Sequence, residues 1–313
     1  MKKLLILLIL LLTGCSNKYY SKNFFYMDTV INIKLYDISE KKANEAFEEI
    51  DDLYSKYENI TNFYSENSEL YNLNNTNTEE YIKISNELYE LIEIGLDWYN
   101  KSNGLLNINI GSLTQIWHDF RNQSISFPTL EQLNNIDISI DKIKLKDNKI
   151  LNSDFKIDLG SITKGYVTEK AGVYLENKGI NYYIINAGGN VKVGKSDKGY
   201  YNIGIASPIN SNEIFYSIKD ENISVVTSGG YERFYEYNDT LYHHIINPNT
   251  RYPANYMKSV TIIGKNSGIC DALSTILFLM DIDSGKEFIK DFDVSVIWFS
   301  NENEVIKSEN FKY

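Results

Sequence analysis

The chain has 313 residues, 43% of them hydrophobic, and a formal net charge of -11 at pH 7. This is enough apolar chain for one large core or two small ones, and the acidity argues against nucleic acid or anionic lipid as the main partner. Only Cys15 and Cys270 are present, so packing rather than a disulfide framework must hold the fold.

Lys2 and Lys3 precede the unbroken apolar run Leu4 to Leu12. The run is shorter than the ~20 residues of a membrane-spanning helix and predicts a signal peptide over residues 1–14. Leu12-Thr13-Gly14-Cys15 reads as a bacterial lipobox, with Cys15 acylated and the mature protein lipid-anchored at the cell membrane, facing outside the cytoplasm. An ordinary cleaved signal with a chance cysteine is the plainer alternative, and the small residues before Cys15 weigh against it. Cys270, inside an apolar helix, is expected as a buried filler. Residues 15–23 are expected as a lipidated cysteine and tether, and 24–313 as one domain.

Phe24 to Tyr36 alternates as a strand. Ala46, Phe47, Ile50, Leu53, Tyr54 and Tyr57 then recur at helical spacing. An Asn/Ser-rich loop is expected over 59–78, and a second helix carries Ile84, Leu88, Leu91, Ile92, Gly95, Leu96 and Tyr99. Both stripes read as core-facing rather than cofactor-binding. Asn103-Gly104 ends the second helix, and an irregular region is expected to about Asn152. From Phe155 the pattern is strand-rich, with strands at 182–186, 191–193, 201–206, 223–227, 241–246, 260–263 and 294–299. Helices are expected at 162–177 and 267–280. The order predicts a single intertwined α+β domain with mixed or antiparallel sheets flanked by helices.

The polar motifs sit at the joints of these elements. In Asp158-Leu159-Gly160-Ser161-Ile162-Thr163-Lys164 a strand turns into a helix N-terminus, where free N–H groups suit a phosphate. Asp158 as a simple helix cap is an equal contender. Gly188-Gly189 lets backbone approach a ligand, although such hairpins are common without one. Asp271 and Thr275, spaced i and i+4, share a helical face. A carboxylate, a hydroxyl and a main-chain carbonyl suit a hard divalent cation that shares substrate phosphates. His244 adjoins the turns at Thr227–Gly230 and Pro248 and reads as a general base or substrate-orienting group, with His243 on the opposite side of the strand. Together these groups suffice for a metal-assisted phosphate site.

The same motifs in this order resemble the FAD:protein FMN transferase (ApbE) family. The likeness runs through Tyr26-Met27-Asp28-Thr29, Ser68-Glu69-Leu70, Asp158 to Tyr166, Asn186 to Asn190, Thr227 to Phe234, His244 to Pro253 and Asp271 to Thr275. It implies an enzyme that uses FAD as substrate with Mg²⁺, and moves FMN to a Thr or Ser hydroxyl of a partner flavoprotein with release of AMP. It further implies that Asp271, Thr275 and the Ser161 backbone hold Mg²⁺. Met27, Gly104, Leu105, Leu106, Asp158, Lys164, Gly188, Gly189 and Ile245 are implied to contact FAD, with His244 or Asp271 as the base. The expected clients, on the likeness alone, are flavin-carrying subunits of membrane redox pumps or extracellular reductases.

Three positions depart from the family pattern, which often has Asp where this chain has Asn107, Asn190 and Asn247. Amides anchor Mg²⁺ poorly, but Asp271 is retained. The rival readings are an FAD pyrophosphatase, with water as acceptor, and a non-catalytic flavin-binding lipoprotein.

Overall fold

The structure, a computed structural model, describes residues 19–123, 126–151, 154, 156–238 and 240–313. The predicted signal peptide, Cys15 and the strand start at Phe155 lie outside the described residues. The first half comprises β1 (Tyr19–Tyr26), β2 (Thr29–Tyr36), α1 (Glu40–Thr61), α2 (Glu69–Asn74), β3 (Tyr81–Lys83), α3 (Asn86–Lys101), α4 (Gly111–Gln123), α5 (Leu130–Asn134), β4 (Lys144–Lys146) and β5 (Lys149–Leu151). There follow α6 (Thr163–Asn177), β6 (Tyr183–Ala187), β7 (Asn190–Val193), β8 (Tyr201–Ala206), β9 (Ile214–Asp220), β10 (Ile223–Gly229), β11 (Phe234–Tyr237) and β12 (Thr240–His243). The chain closes with β13 (Ser259–Gly264), α7 (Ser267–Phe278), α8 (Ile282–Phe288), β14 (Ser295–Phe299) and β15 (Val305–Lys307).

Eight strands form one sheet in the order β1-β2-β6-β7-β10-β13-β14-β15, and every neighbouring pair is antiparallel. β13 and β14 are buried at every position because both faces of the sheet are covered. On one face Ile33, Ile185, Val226 and Ile262 meet Ile50, Leu91, Val167 and Leu273 of the helices. On the other, Ile203, Ile205 and Ile218 of the β8–β9 hairpin cover Val225, Ile263 and Ile297. Helices segregated to one face of an antiparallel sheet make the expected α+β architecture.

Two contacts within the helical layer position the site. The wholly buried Tyr54 of α1 hydrogen-bonds Thr168 of α6 at 3.0 Å. Gly165 of α6 lies so close to α7 that an added Cβ would overlap the Asp271 Cβ and the Ser267 carbonyl. Only glycine permits that approach, and it brings the Gly165 N–H to Asp271.

Several expectations need correction. The strand expected over 24–36 is a two-residue hairpin, with Met27 and Asp28 both in the left-handed region at φ 54° and 56°. Residues 19–23, expected as tether, belong to β1. The loop expected over 59–78 contains α2. The region expected to be irregular from Gly104 to Asn152 contains α4, α5 and the β4–β5 hairpin. β9, β11, α8 and β15 were not anticipated, and the strand expected over 241–246 ends at His243.

Candidate functional site

Backbone pairing of Asp158 N with Ile108 O at 2.8 Å, and of Gly111 N with Lys156 O at 2.9 Å, docks the start of α4 onto the segment before α6. Thr114, in the first turn of α4, thereby donates to Asp158 Oδ2 at 2.8 Å, while Gly160 N donates to Oδ1 at 2.9 Å. Asp158 is thus locked in a turn. It does not cap α6, whose N-cap position is Ile162 with no side-chain cap bond.

Asp158, Thr114, Gly160 and His244 form the waist between two lobes of one cleft. The larger lobe, about 260 Å³, is also lined by Met27, Glu58, Tyr64, His118, Arg121, Lys164, Glu232 and Arg233. The smaller, about 120 Å³, has an apolar wall of Leu105, Leu106, Ile110, Ile245, Ile246 and Leu279, with Ser161 and Thr275 as its hydroxyls. Gly104, Gly188, Gly189 and Asp271, expected at the site, line neither lobe. Gly104, at φ 87°, closes α3 against Tyr99. Lys164 Nζ donates to Gly188 O at 3.2 Å, and Gly189 backs Glu232.

Asp271 is buried in the second turn of α7, its Oδ2 accepting from Gly165 N at 2.7 Å. Burial pushes its carboxyl pKa up, while Lys164, the Gly165 N–H and the Asn190 amide pull the other way. The Asn190 Nδ2 acts there without a hydrogen bond of ordinary geometry. Its Oδ1 accepts from Ser267 Oγ at 2.5 Å. Among the described residues no cluster of three or more His, Cys, Asp or Glu could hold a metal ion. A cation here would need the Asp271 carboxylate, the Thr275 hydroxyl, Ser161 and substrate oxygens. An all-oxygen donor set of this kind fits a hard ion.

The two adjacent histidines divide as strand alternation requires. His243 turns inward: Nε2–H donates to Ala254 O at 2.6 Å, Nδ1 accepts from Ile245 N at 3.2 Å, and the ring meets Phe278 edge-on. His244 faces the cleft and leaves a buried, unpartnered Nδ1. Burial foremost, then the charges of Arg233, His243 and Arg121, lower its pKa to about 3. The ring is therefore neutral near pH 7. An unfolded histidine titrates near 6.5, so between these values the unfolded chain binds a proton that the folded chain does not. Stability should accordingly fall as pH drops below about 6.5, by up to about 1.4 kcal/mol per pH unit from this residue, and should be unaffected by it above. Urea unfolding at pH 7, 6 and 5 measures the slope; a His244→Gln curve parallel to wild type would contradict the assignment.

Two of the three amides are fixed by bonds that a carboxylate cannot make. Asn107 Nδ2 donates to Ile138 O at 2.9 Å, and Asn247 Nδ2 donates to Leu279 O at 3.2 Å. Each Oδ1 accepts main-chain N–H groups nearby. An ionised Asp has no proton for those carbonyls. Asn247→Asp should therefore lose about 1–3 kcal/mol of stability without gaining activity. Thermal unfolding with a parallel activity assay checks this.

Thr114, Trp117, His118 and Arg121 line the cleft from one face of α4, and Glu58, Tyr64, Glu232 and Arg233 line it from elsewhere. None was anticipated as a site residue. The i, i+3, i+4, i+7 spacing of Thr114, Trp117, His118 and Arg121 is the signal that could have placed them on one helical face. Tyr64 and His118 stack with centroids 4.3 Å apart. Arg233 holds the strained hairpin turn through Met27 O at 3.4 Å and Asp28 at 3.8 Å, with Glu58 accepting from Met27 N at 2.9 Å.

A model of the ApbE family matches residues 27–298. The chain is 26% identical over 306 residues to the FAD:protein FMN transferase of Klebsiella pneumoniae (strain 342), spanning 93% of this chain and 92% of that one. It is 27% identical over 302 residues to the protein of the same name from Treponema pallidum (strain Nichols), spanning 87% and 82%. Among solved structures, the ApbE protein of Thermotoga maritima superposes with a TM-score of 0.86 at 25% identity, over 93% of this chain and 97% of that one. By matched span and by fold, this chain belongs to the ApbE family.

Proposed function

We propose that the protein transfers FMN from FAD to a Thr or Ser hydroxyl of a partner flavoprotein and releases AMP. The observation that carries this reading is the two-lobed cleft pinched at Asp158 and His244. FAD is itself two flat heads joined by a diphosphate, and the waist offers a place for that link. The names of the relatives support the same chemistry.

Asp271, Thr275 and Ser161 would hold Mg²⁺, which when bound would neutralise charge developing on the departing phosphate. The chain's own groups do the rest. Lys164 and Arg233 supply positive charge in the larger lobe, and the apolar wall of the smaller lobe excludes water from a flat ring. The acceptor oxygen forms a bond to the FMN phosphorus as the bond to the AMP oxygen breaks, and AMP leaves with that electron pair. The hydroxyl proton passes to the His244 imidazole. Asp271 is the weaker candidate, because it is buried, lines neither lobe and has one oxygen bonded to Gly165 N. A diphosphate beside His244 would raise the proton affinity of a ring that is otherwise a weak base.

Acylation at Cys15 would anchor the enzyme outside the cytoplasm. Only Ser16 to Lys18 separate that residue from β1, so the domain would sit within roughly 14 Å of the anchor point. The reading is tested by incubating the protein with FAD and assaying AMP with Mg²⁺ or with a chelator. Mg²⁺-dependent AMP in the presence of acceptor is expected; none under any condition would contradict it.

A further inference from the structure

The first strand of the large sheet has an open side. β1 lies at the edge of the sheet and pairs only with β2. Tyr26 and Thr29 flank the two-residue turn and pair with each other, so the hydrogen-bonded pairs fall at residues 26, 24, 22 and 20 of β1. Tyr19, Ser21, Asn23 and Phe25 therefore direct their N–H and C=O groups away from β2. Among the described residues nothing bonds to those groups.

Edge strands are usually protected by charge, proline, bulges or brevity. β1 runs for eight residues with Lys22 as its one charge, no proline and an unbroken register. Its end at the cleft carries an exposed cross-strand pair, Phe25 at 68% and Val30 at 56% exposure. The strand then leads directly into Met27 and Asp28, which line the larger lobe.

We propose that β1 is the docking strand for the acceptor protein, which adds an extended segment to this edge and delivers its hydroxyl residue to the cleft. The inference rests on the transferase reading above and deepens it by naming how the partner is held. Strand addition takes affinity from main-chain bonds and reads only alternate side chains, so it suits an enzyme that modifies a hydroxyl within a segment of chain. An added strand alongside β1 spans about 27 Å and emerges at the turn held by Arg233 and Glu58. Phe25 and Val30 provide the apolar contact nearest the cleft. Lys22, over the Phe24 ring, is the one positive charge on the strand itself. A second copy of the chain is disfavoured as occupant, because each copy carries a net charge of -11.

The test uses the full mature chain and, as acceptor, the flavin-carrying subunit of a membrane redox pump that takes FMN on a Thr. Asn23→Pro removes one outward N–H and no ladder bond to β2. It should raise the acceptor KM roughly tenfold, the effect of about one lost main-chain bond with its strand fit. FAD affinity and the unfolding midpoint should stay near wild type, and Asn23→Ala should remain within about twofold. In parallel, amide exchange of wild-type Ser21, Asn23 and Phe25 should slow when acceptor is added, which decides the matter even if the proline variant fails to fold. Transfer by wild type with an unchanged proline variant and no amide protection would overturn the docking strand and leave the reaction standing. Protection without transfer would do the reverse, and neither would overturn both. Protection that depends on the protein's own concentration without acceptor would assign the edge to a second copy and overturn the proposal.

Discussion

Asp271→Ala is expected to reduce Mg²⁺-dependent AMP release from FAD by roughly three orders of magnitude or more, the scale of losing a principal electrostatic stabiliser of the transition state. The residue joins two roles. Its Oδ2 bonds Gly165 N at 2.7 Å across the α6–α7 contact, and its carboxylate is the strongest candidate anion for the cation. Alanine leaves the Gly165 N–H unpaired, which costs about 1–3 kcal/mol, and removes a buried charge, which offsets part of that. Asp271→Asn separates the roles, because the amide oxygen still accepts from Gly165 while the charge is gone. The asparagine variant should unfold like wild type and yet require far more Mg²⁺. An asparagine variant with unaltered Mg²⁺ dependence would remove Asp271 from the metal site.

The second large effect is expected at His244. Glutamine keeps polarity and approximate size but cannot take a proton, so transfer to the acceptor should fall about 10²–10⁴-fold, the usual contribution of a general base. FAD binding, followed by flavin fluorescence, should change little. His244 is the one histidine of the adjacent pair that faces the cleft, whereas both ring nitrogens of His243 are engaged in local bonds. A glutamine variant that transfers FMN at the wild-type rate would move the base elsewhere. Glu232, which lines the larger lobe with Lys164 and Arg233, would then join Asp271 as a candidate.

What could be read from the chain follows from what is local. β13 and β14 announce themselves as apolar runs, and α1 and α3 as long stripes of buried residues. The hairpin turn at Met27–Asp28 does not, because its first left-handed position is filled by Met27, a residue that gives no turn signal. α4 was hidden for a different reason: it follows directly from a 3₁₀ turn at Ile108–Ile110 without a capping side chain to mark its start. Asp158, Lys164 and His244 stood out as polar residues at element joints. The partner that fixes Asp158, Thr114, is 44 residues away, and no local pattern connects them. The amides were read as weakened carboxylates, and only the carbonyls of Ile138 and Leu279 reveal why Asn107 and Asn247 suit this chain.

The central claim is that a protein hydroxyl, rather than water, receives the FMN. The most direct test is the intact mass of a Thr-containing flavoprotein acceptor after incubation with the mature chain, FAD and Mg²⁺, with AMP assayed in the same sample. The account predicts one added FMN per acceptor, matched by AMP and lost on chelation of the metal. AMP released in full while the acceptor mass stays unchanged would contradict it and make the protein a hydrolase of FAD.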